Sequence, residues 1–176
     1  MKKIRIGTRS SELALYQANT VARLLKELGQ ESTIIKIDSL GDQDLKTPLY
    51  ELGVTGVFTK NLDIALLNKD IDVAVHSLKD VPTKMPNGIQ QAAVLKRGNF
   101  NDVLILKKDE NFFENETATI ATGSLRRKAQ WLYRYPKHTI TNLRGNVNTR
   151  LQKLEDNDWD GAIFALAGLG RLNLLP

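Results

Sequence analysis

Short apolar runs alternate with longer helical patterns from end to end of this chain, and that alternation constrains the fold more than any single residue does. It is the signature of βα units feeding a mainly parallel sheet. Residues 4–8 read as the first strand. Ala14, Ala18, Val21, Leu25 and Leu28 then fall at helical spacing and predict a helix over 12–28, with Gly29 placed as a left-handed cap. Strand 32–38, amphipathic helix 57–68 and a buried strand 72–76 follow. A break at Lys96-Arg97-Gly98-Asn99-Phe100-Asn101 precedes a second series: strand 102–107, strand 119–121, helix 125–135, strand 138–143, helix 147–156 and strand 161–165. We expect two domains, 1–97 and 102–176, joined by a hinge at 98–101.

The charge map narrows function. The net charge is +5, yet residues 122–154 hold eight Lys or Arg and no Asp or Glu, leaving 17 basic against 20 acidic residues elsewhere, a net of −3. A basic surplus confined to one stretch points to a local anion site for carboxylate or phosphate rather than to a uniformly basic surface. No cysteine is present among the 176 residues, so thiolate metal sites, disulfides and cysteine nucleophiles drop out, and a reducing compartment fits. Neither a signal peptide nor a stretch of membrane-spanning length is legible. The expectation is a cytoplasmic protein without metal or membrane partner.

In open α/β sheets ligands bind beyond the carboxyl ends of the strands, and three polar corners qualify. Gly7-Thr8-Arg9-Ser10-Ser11 follows the first strand; the bland reading makes its serines helix caps. His76-Ser77-Leu78-Lys79-Asp80-Val81-Pro82 sets a carboxylate between a lysine and a proline-fixed turn. Asp80 is the best candidate catalytic carboxylate there, against a bland reading as an Asx-turn residue. His76 reads as structural, since one other histidine and no cysteine leave no metal site to complete. Thr122-Gly123-Ser124-Leu125-Arg126-Arg127-Lys128 opens a helix with cations in its first turn. They oppose the macrodipole unless an anion is shared, although Ser124 alone could be an ordinary cap with solvated arginines beside it.

A similar arrangement recurs at Leu143-Arg144-Gly145-Asn146-Val147-Asn148-Thr149-Arg150, where two arginines flank a Gly-Asn turn at a helix start. The planar guanidinium fork suits carboxylates; the bland reading is a glycine turn with both arginines in water. Gly53 to Phe58 carries two glycines before a helix, as a mobile lid would, but lacks the lysine and spacing of a P-loop.

Taken together, GTRSSELAL, the Gly41-Asp42 loop, HSLKDVP, TGSLRR, LRGNVNTRL and ALAGLGRL resemble the hydroxymethylbilane synthase (porphobilinogen deaminase) family in order and spacing over the whole chain. The resemblance implies a transferase of tetrapyrrole, porphyrin and heme biosynthesis. Such enzymes condense four porphobilinogen units head to tail, release ammonia each time, and grow the product on a dipyrromethane cofactor held by a cysteine. It implies two mixed-sheet α/β domains resembling type II periplasmic binding proteins, with a cleft between them, and a third cysteine-bearing α+β domain that is absent here. It assigns catalysis to Asp80 and carboxylate binding to Arg9, Ser11, Gln17, Lys79, Thr122, Ser124, Arg126, Arg127, Arg144 and Arg150. Porphobilinogen is the implied substrate and a monomer the implied state.

Two departures stand out. Val54-Thr55 occupies the loop position where many relatives have a lysine, and without a cysteine the isolated chain is expected to be a truncated, inactive form that cannot anchor its cofactor. Two rivals remain: a non-catalytic anion-binding module of periplasmic-binding-protein type, and a nucleic-acid binder using the basic stretch with Trp131, Tyr133 and Tyr135. The net −3 elsewhere argues against the second, so no nucleic-acid partner is expected.

Overall fold

The computed structural model describes residues 2–39, 56–107, 112–114 and 116–175. The Gly41-Asp42 loop, Val54-Thr55 and most of the glycine-bearing loop before Phe58 lie outside the described residues. The chain divides between Lys96 and Arg97 into two compact units. Among the described residues, no helix is long and apolar enough to cross a membrane.

In the first unit β1 (Ile4–Thr8) runs parallel to both β2 (Ser32–Lys36) and β3 (Val73–Ala74), in the order β2-β1-β3. Helix α1 (Glu12–Glu27) follows β1 and buries Ala14 and Ala18, small residues that let the helix lie close to the sheet. Gly29 sits at φ 77°, the left-handed cap its position predicts. Helix α2 (Lys60–Leu67) buries Leu62 and Ala65 against Ile71. It is shorter than the expected 57–68 because the carbonyl of Gly56 accepts from both Thr59 and Lys60, closing a separate turn first. The strand expected over 72–76 shrinks to two residues and is half-buried rather than buried, since β3 lies at the sheet edge; Asp72 and Val75 still donate to Arg5 and Gly7.

The second unit is built on β4 (Asp102–Leu106), β5 (Thr119–Ala121), β6 (Thr139–Thr141) and β7 (Gly161–Ala165), ordered β4-β7-β5-β6. Strands β7, β5 and β6 are mutually parallel, whereas β4 is antiparallel to β7. The sheet is covered on both faces. Ala162 and Phe164 of β7 join Ala121, Leu143, Leu154 and Leu169 on one side, while Ile163 joins Ile120, Phe112 and Ala118 on the other. Burial on both faces makes these strands read as unbroken apolar runs.

Helices α3 (Leu125–Arg134) and α4 (Val147–Asp156) follow β5 and β6. The expected strand over 138–143 narrows to β6, because His138 instead closes a turn onto Tyr135 and the chain leaves the ladder after Thr141. A last helix, α5 (Leu166–Arg171), has no counterpart in the sequence reading: Gly168 and Gly170 depress helix propensity, by about 1 kcal/mol each, but packing of Leu169, 1% exposed, outweighs them.

Candidate functional site

All three strands of the first unit end along one side of their sheet, and the candidate residues of that unit gather there. Ser11 caps α1, its hydroxyl accepting from the Ala14 amide at 3.4 Å, so the capping reading of this serine holds. Ser10 donates to Asp38 at 3.0 Å, just past β2. The Arg9 guanidinium lies 4.2 Å from the centroid of the Phe58 ring, a cation–π contact. Beyond β3, Ser77 donates to the Gln17 side chain of α1 at 3.0 Å, which ties Gln17 to the corner bearing Lys79 and Asp80.

Leu78–Asp80 forms a 3-10 turn. The Asp80 side chain is 15% exposed and pairs with the Lys79 ammonium at 2.8 Å, whereas Lys79 is 78% exposed. A largely sheltered carboxylate with a solvent-facing cation can exchange partners when a ligand arrives.

In the second unit the parallel strands β5, β6 and β7 end on one side of the sheet, and antiparallel β4 begins there, since Asp102 lies opposite Ala165. That is how Asp102 meets Arg127 of α3: Nε and Nη2 donate to its two oxygens at 2.8 and 2.5 Å, and Nη1 donates to the Ile163 carbonyl at 3.2 Å. Sequence reasoning missed Asp102, because nothing local signals that β4 runs against its neighbours. It also missed Phe58 and Ser77, whose roles depend on residues far along the chain.

Ser124 caps α3 by accepting from the Arg127 amide at 3.4 Å, and the buried Thr122 hydroxyl accepts from the Ser124 amide at 3.3 Å. A Cβ at Gly123 would fall 2.5 Å from the Leu143 carbonyl oxygen, so glycine there lets the β5 corner lie against the end of β6. Between them is a cleft of about 110 Å³ lined by Thr122, Gly123, Ser124, Lys128, Thr141 and Asn142. A larger hollow of about 220 Å³ lies among Glu116, Arg134 and Tyr135 to His138, near the start of β6 and away from these corners.

Arg126 is exposed, whereas Arg144 is 5% exposed. Gly145 adopts φ 114°, as the turn reading requires, and Asn146 caps α4 by accepting from the Thr149 amide at 2.9 Å. Arg150, one turn into α4, donates Nε to the Gly145 carbonyl at 2.7 Å. Its pKa is pushed below the ordinary 12.5 by burial first, then by the positive charges of Arg127 and Arg144. Helices α1 and α2 carry Glu12 and Asp63 in their first turns, but α3 and α4 carry no acid there. Sheltered guanidiniums that repel one another, beside amide-rich helix starts, suit a ligand rich in carboxylates.

The family model described as porphobilinogen deaminase, dipyromethane cofactor binding domain, matches residues 4–175. The chain belongs to the porphobilinogen deaminase family. A probable porphobilinogen deaminase of Methanocaldococcus jannaschii is 48% identical over 97% of this chain and 58% of its own length. The Campylobacter jejuni porphobilinogen deaminase is 45% identical over 98% and 57%. The chain thus spans less than two thirds of the length of these porphobilinogen deaminase relatives. Among solved structures, the VFT2 domain of Bordetella pertussis BvgS aligns over 96% of this chain and 67% of its own, with a TM-score of 0.49 and 12% identity.

The family's dipyrromethane cofactor can be tested against the residues present. The partly buried Arg150 beside Arg127 and Arg144 fits its carboxylate side chains. Its thioether attachment has no counterpart, since the chain contains no cysteine.

Proposed function

We propose that this chain provides the α/β units of a hydroxymethylbilane synthase, an enzyme that condenses four porphobilinogen units head to tail with release of ammonia. The observation that carries the reading is the cluster of the partly buried Arg150 with Arg127 and Arg144, in which burial first and then the two like charges depress the pKa of Arg150. Porphobilinogen carries an acetate and a propionate on each ring, so a growing chain needs several carboxylate clamps. In this reading Thr122, Ser124, Arg126, Arg127, Arg144 and Arg150 hold carboxylates in the second unit, and Arg9, Ser11, Gln17 and Lys79 do so in the first. Bound dipyrromethane would supply the free pyrrole α-carbon from which the product extends.

Asp80 acts on the reacting centre. When the aminomethyl C–N bond breaks, the electron pair leaves with ammonia and the pyrrole becomes a cationic azafulvene. A fixed carboxylate stabilises that charge and accepts a hydrogen bond from the pyrrole N–H. Lys79, now 2.8 Å from Asp80, would turn to an incoming substrate carboxylate and leave Asp80 to the developing cation. In the full chain Asp80→Asn should reduce porphobilinogen-dependent ammonia release to near zero with an unchanged circular dichroism spectrum; a near-normal rate would refute the assignment. Binding of porphobilinogen without ammonia release by the full chain would favour a non-catalytic anion-binding module instead.

The same reading treats 1–97 and 102–176 as domains joined at 98–101, in a monomer working in the cytoplasm without nucleic-acid partners. Light scattering for mass and a filter-binding assay with DNA and RNA test the monomer and the missing nucleic-acid partner directly.

A further inference from the structure

His76 leaves β3 and enters the corner that carries Asp80. Its ring is largely sheltered, and Nε2 is buried with no hydrogen-bond partner among the described residues. Leaving a buried imidazole nitrogen unmet is costly, and natural proteins retain few such groups without a reason. The charged groups that face it are Asp63 from α2, Asp80 from the 3-10 turn and Arg9 from the corner after β1.

We infer that His76 is a positioning residue for Asp80: an uncharged imidazole, set among Asp63, Asp80 and Arg9, that leaves the Asp80 carboxylate available to a bound cation until the site acidifies. The inference rests on the reaction proposed above. Its physical basis is a balance of opposed effects. Burial, the largest, disfavours the imidazolium and holds the pKa of His76 below the ordinary 6.5; the two carboxylates oppose this and Arg9 reinforces it. Once protonated, His76 would place a fixed cation beside Asp80 and compete with the charge that develops on the substrate. A neutral His76 has no such effect.

These 176 residues hold two histidines, His76 and His138, and loss of one signal in His76→Gln identifies that of His76. Ring-nitrogen NMR of the full chain should give a His76 midpoint below 6.5 that falls further in Asp80→Asn, because a carboxylate favouring the cation has gone. In the pH profile of ammonia release, His76→Gln keeps a neutral hydrogen-bonding group without titration and should shift the acid limb to lower pH. A His76 midpoint identical in wild type and Asp80→Asn overturns the inference, as does an acid limb unchanged in His76→Gln. A midpoint that moves in a protein releasing no ammonia supports the His76–Asp80 coupling and sinks the deaminase reading alone.

Discussion

At the scale of single residues, the chain separates groups that hold the fold from groups that the proposed function gives to a ligand. Arg5 and Asp72 belong to the first kind. The Asp72 carboxylate accepts from the Arg5 backbone amide at 2.9 Å and from its guanidinium at 3.0 and 2.8 Å, locking β1 to the entrance of β3. These hydrogen bonds hold the Asp72 pKa well below its ordinary 3.8. A depressed carboxylate pKa stabilises the fold above the unfolded value, and that contribution is lost as pH falls through 3.8 and below. Urea titrations should therefore show wild-type stability falling more steeply below about pH 4 than that of Asp72→Asn, which starts less stable at neutral pH. Arg150 belongs to the second kind, since burial first and then the like charges of Arg127 and Arg144 depress its pKa. Arg127 lies between the two. It is paired with Asp102, so an incoming carboxylate must share or replace that partner. Asp102→Asn would release Arg127 from a competing carboxylate and should tighten the binding of porphobilinogen measured by calorimetry.

At the scale of elements, helix starts do the positioning. Asn146 accepts from the Thr149 amide at 2.9 Å and from its hydroxyl at 3.0 Å, fixing the first turn of α4 from which Arg150 reaches back to Gly145. Asn146→Ala should cost about 1 kcal/mol of stability, read by chemical denaturation, and should weaken carboxylate binding as Arg150 loses its fixed origin. The helices themselves are legible in the sequence because their apolar spacing and caps are local. Residues 147–156 are bounded by the Gly-Asn turn ahead of them and by the polar run after Leu154. Helix α5 is not legible, because Leu169 forms it by packing into a core assembled from distant strands. The edge position of β3 is hidden for a related reason: nothing in Val73 and Ala74 says how many neighbours the strand will have.

At the scale of the whole molecule, two compact units each present polar corners at the carboxyl ends of parallel strands, where open α/β sheets bind ligands. The local basic stretch, not the net +5, carries the meaning of the charge. A chain with no cysteine forms no thioether. Intact-mass spectrometry after incubation of these 176 residues with porphobilinogen should therefore return the polypeptide mass alone; a stable covalent adduct would mean that a residue other than cysteine anchors the cofactor.

The sequence by itself determined the βα order, the caps at Ser11 and Ser124, the left-handed cap at Gly29, the glycine turn at 145, and the family, because each depends on neighbours within a few residues or on motifs read in register. Only the tertiary structure decided that β4 runs antiparallel and sets Asp102 against Arg127, that Ser77 binds Gln17, and that His76 is sheltered among Asp63, Asp80 and Arg9. Those pairings join residues far apart in sequence, and burial and strand direction, which select them, are properties of the packed sheet.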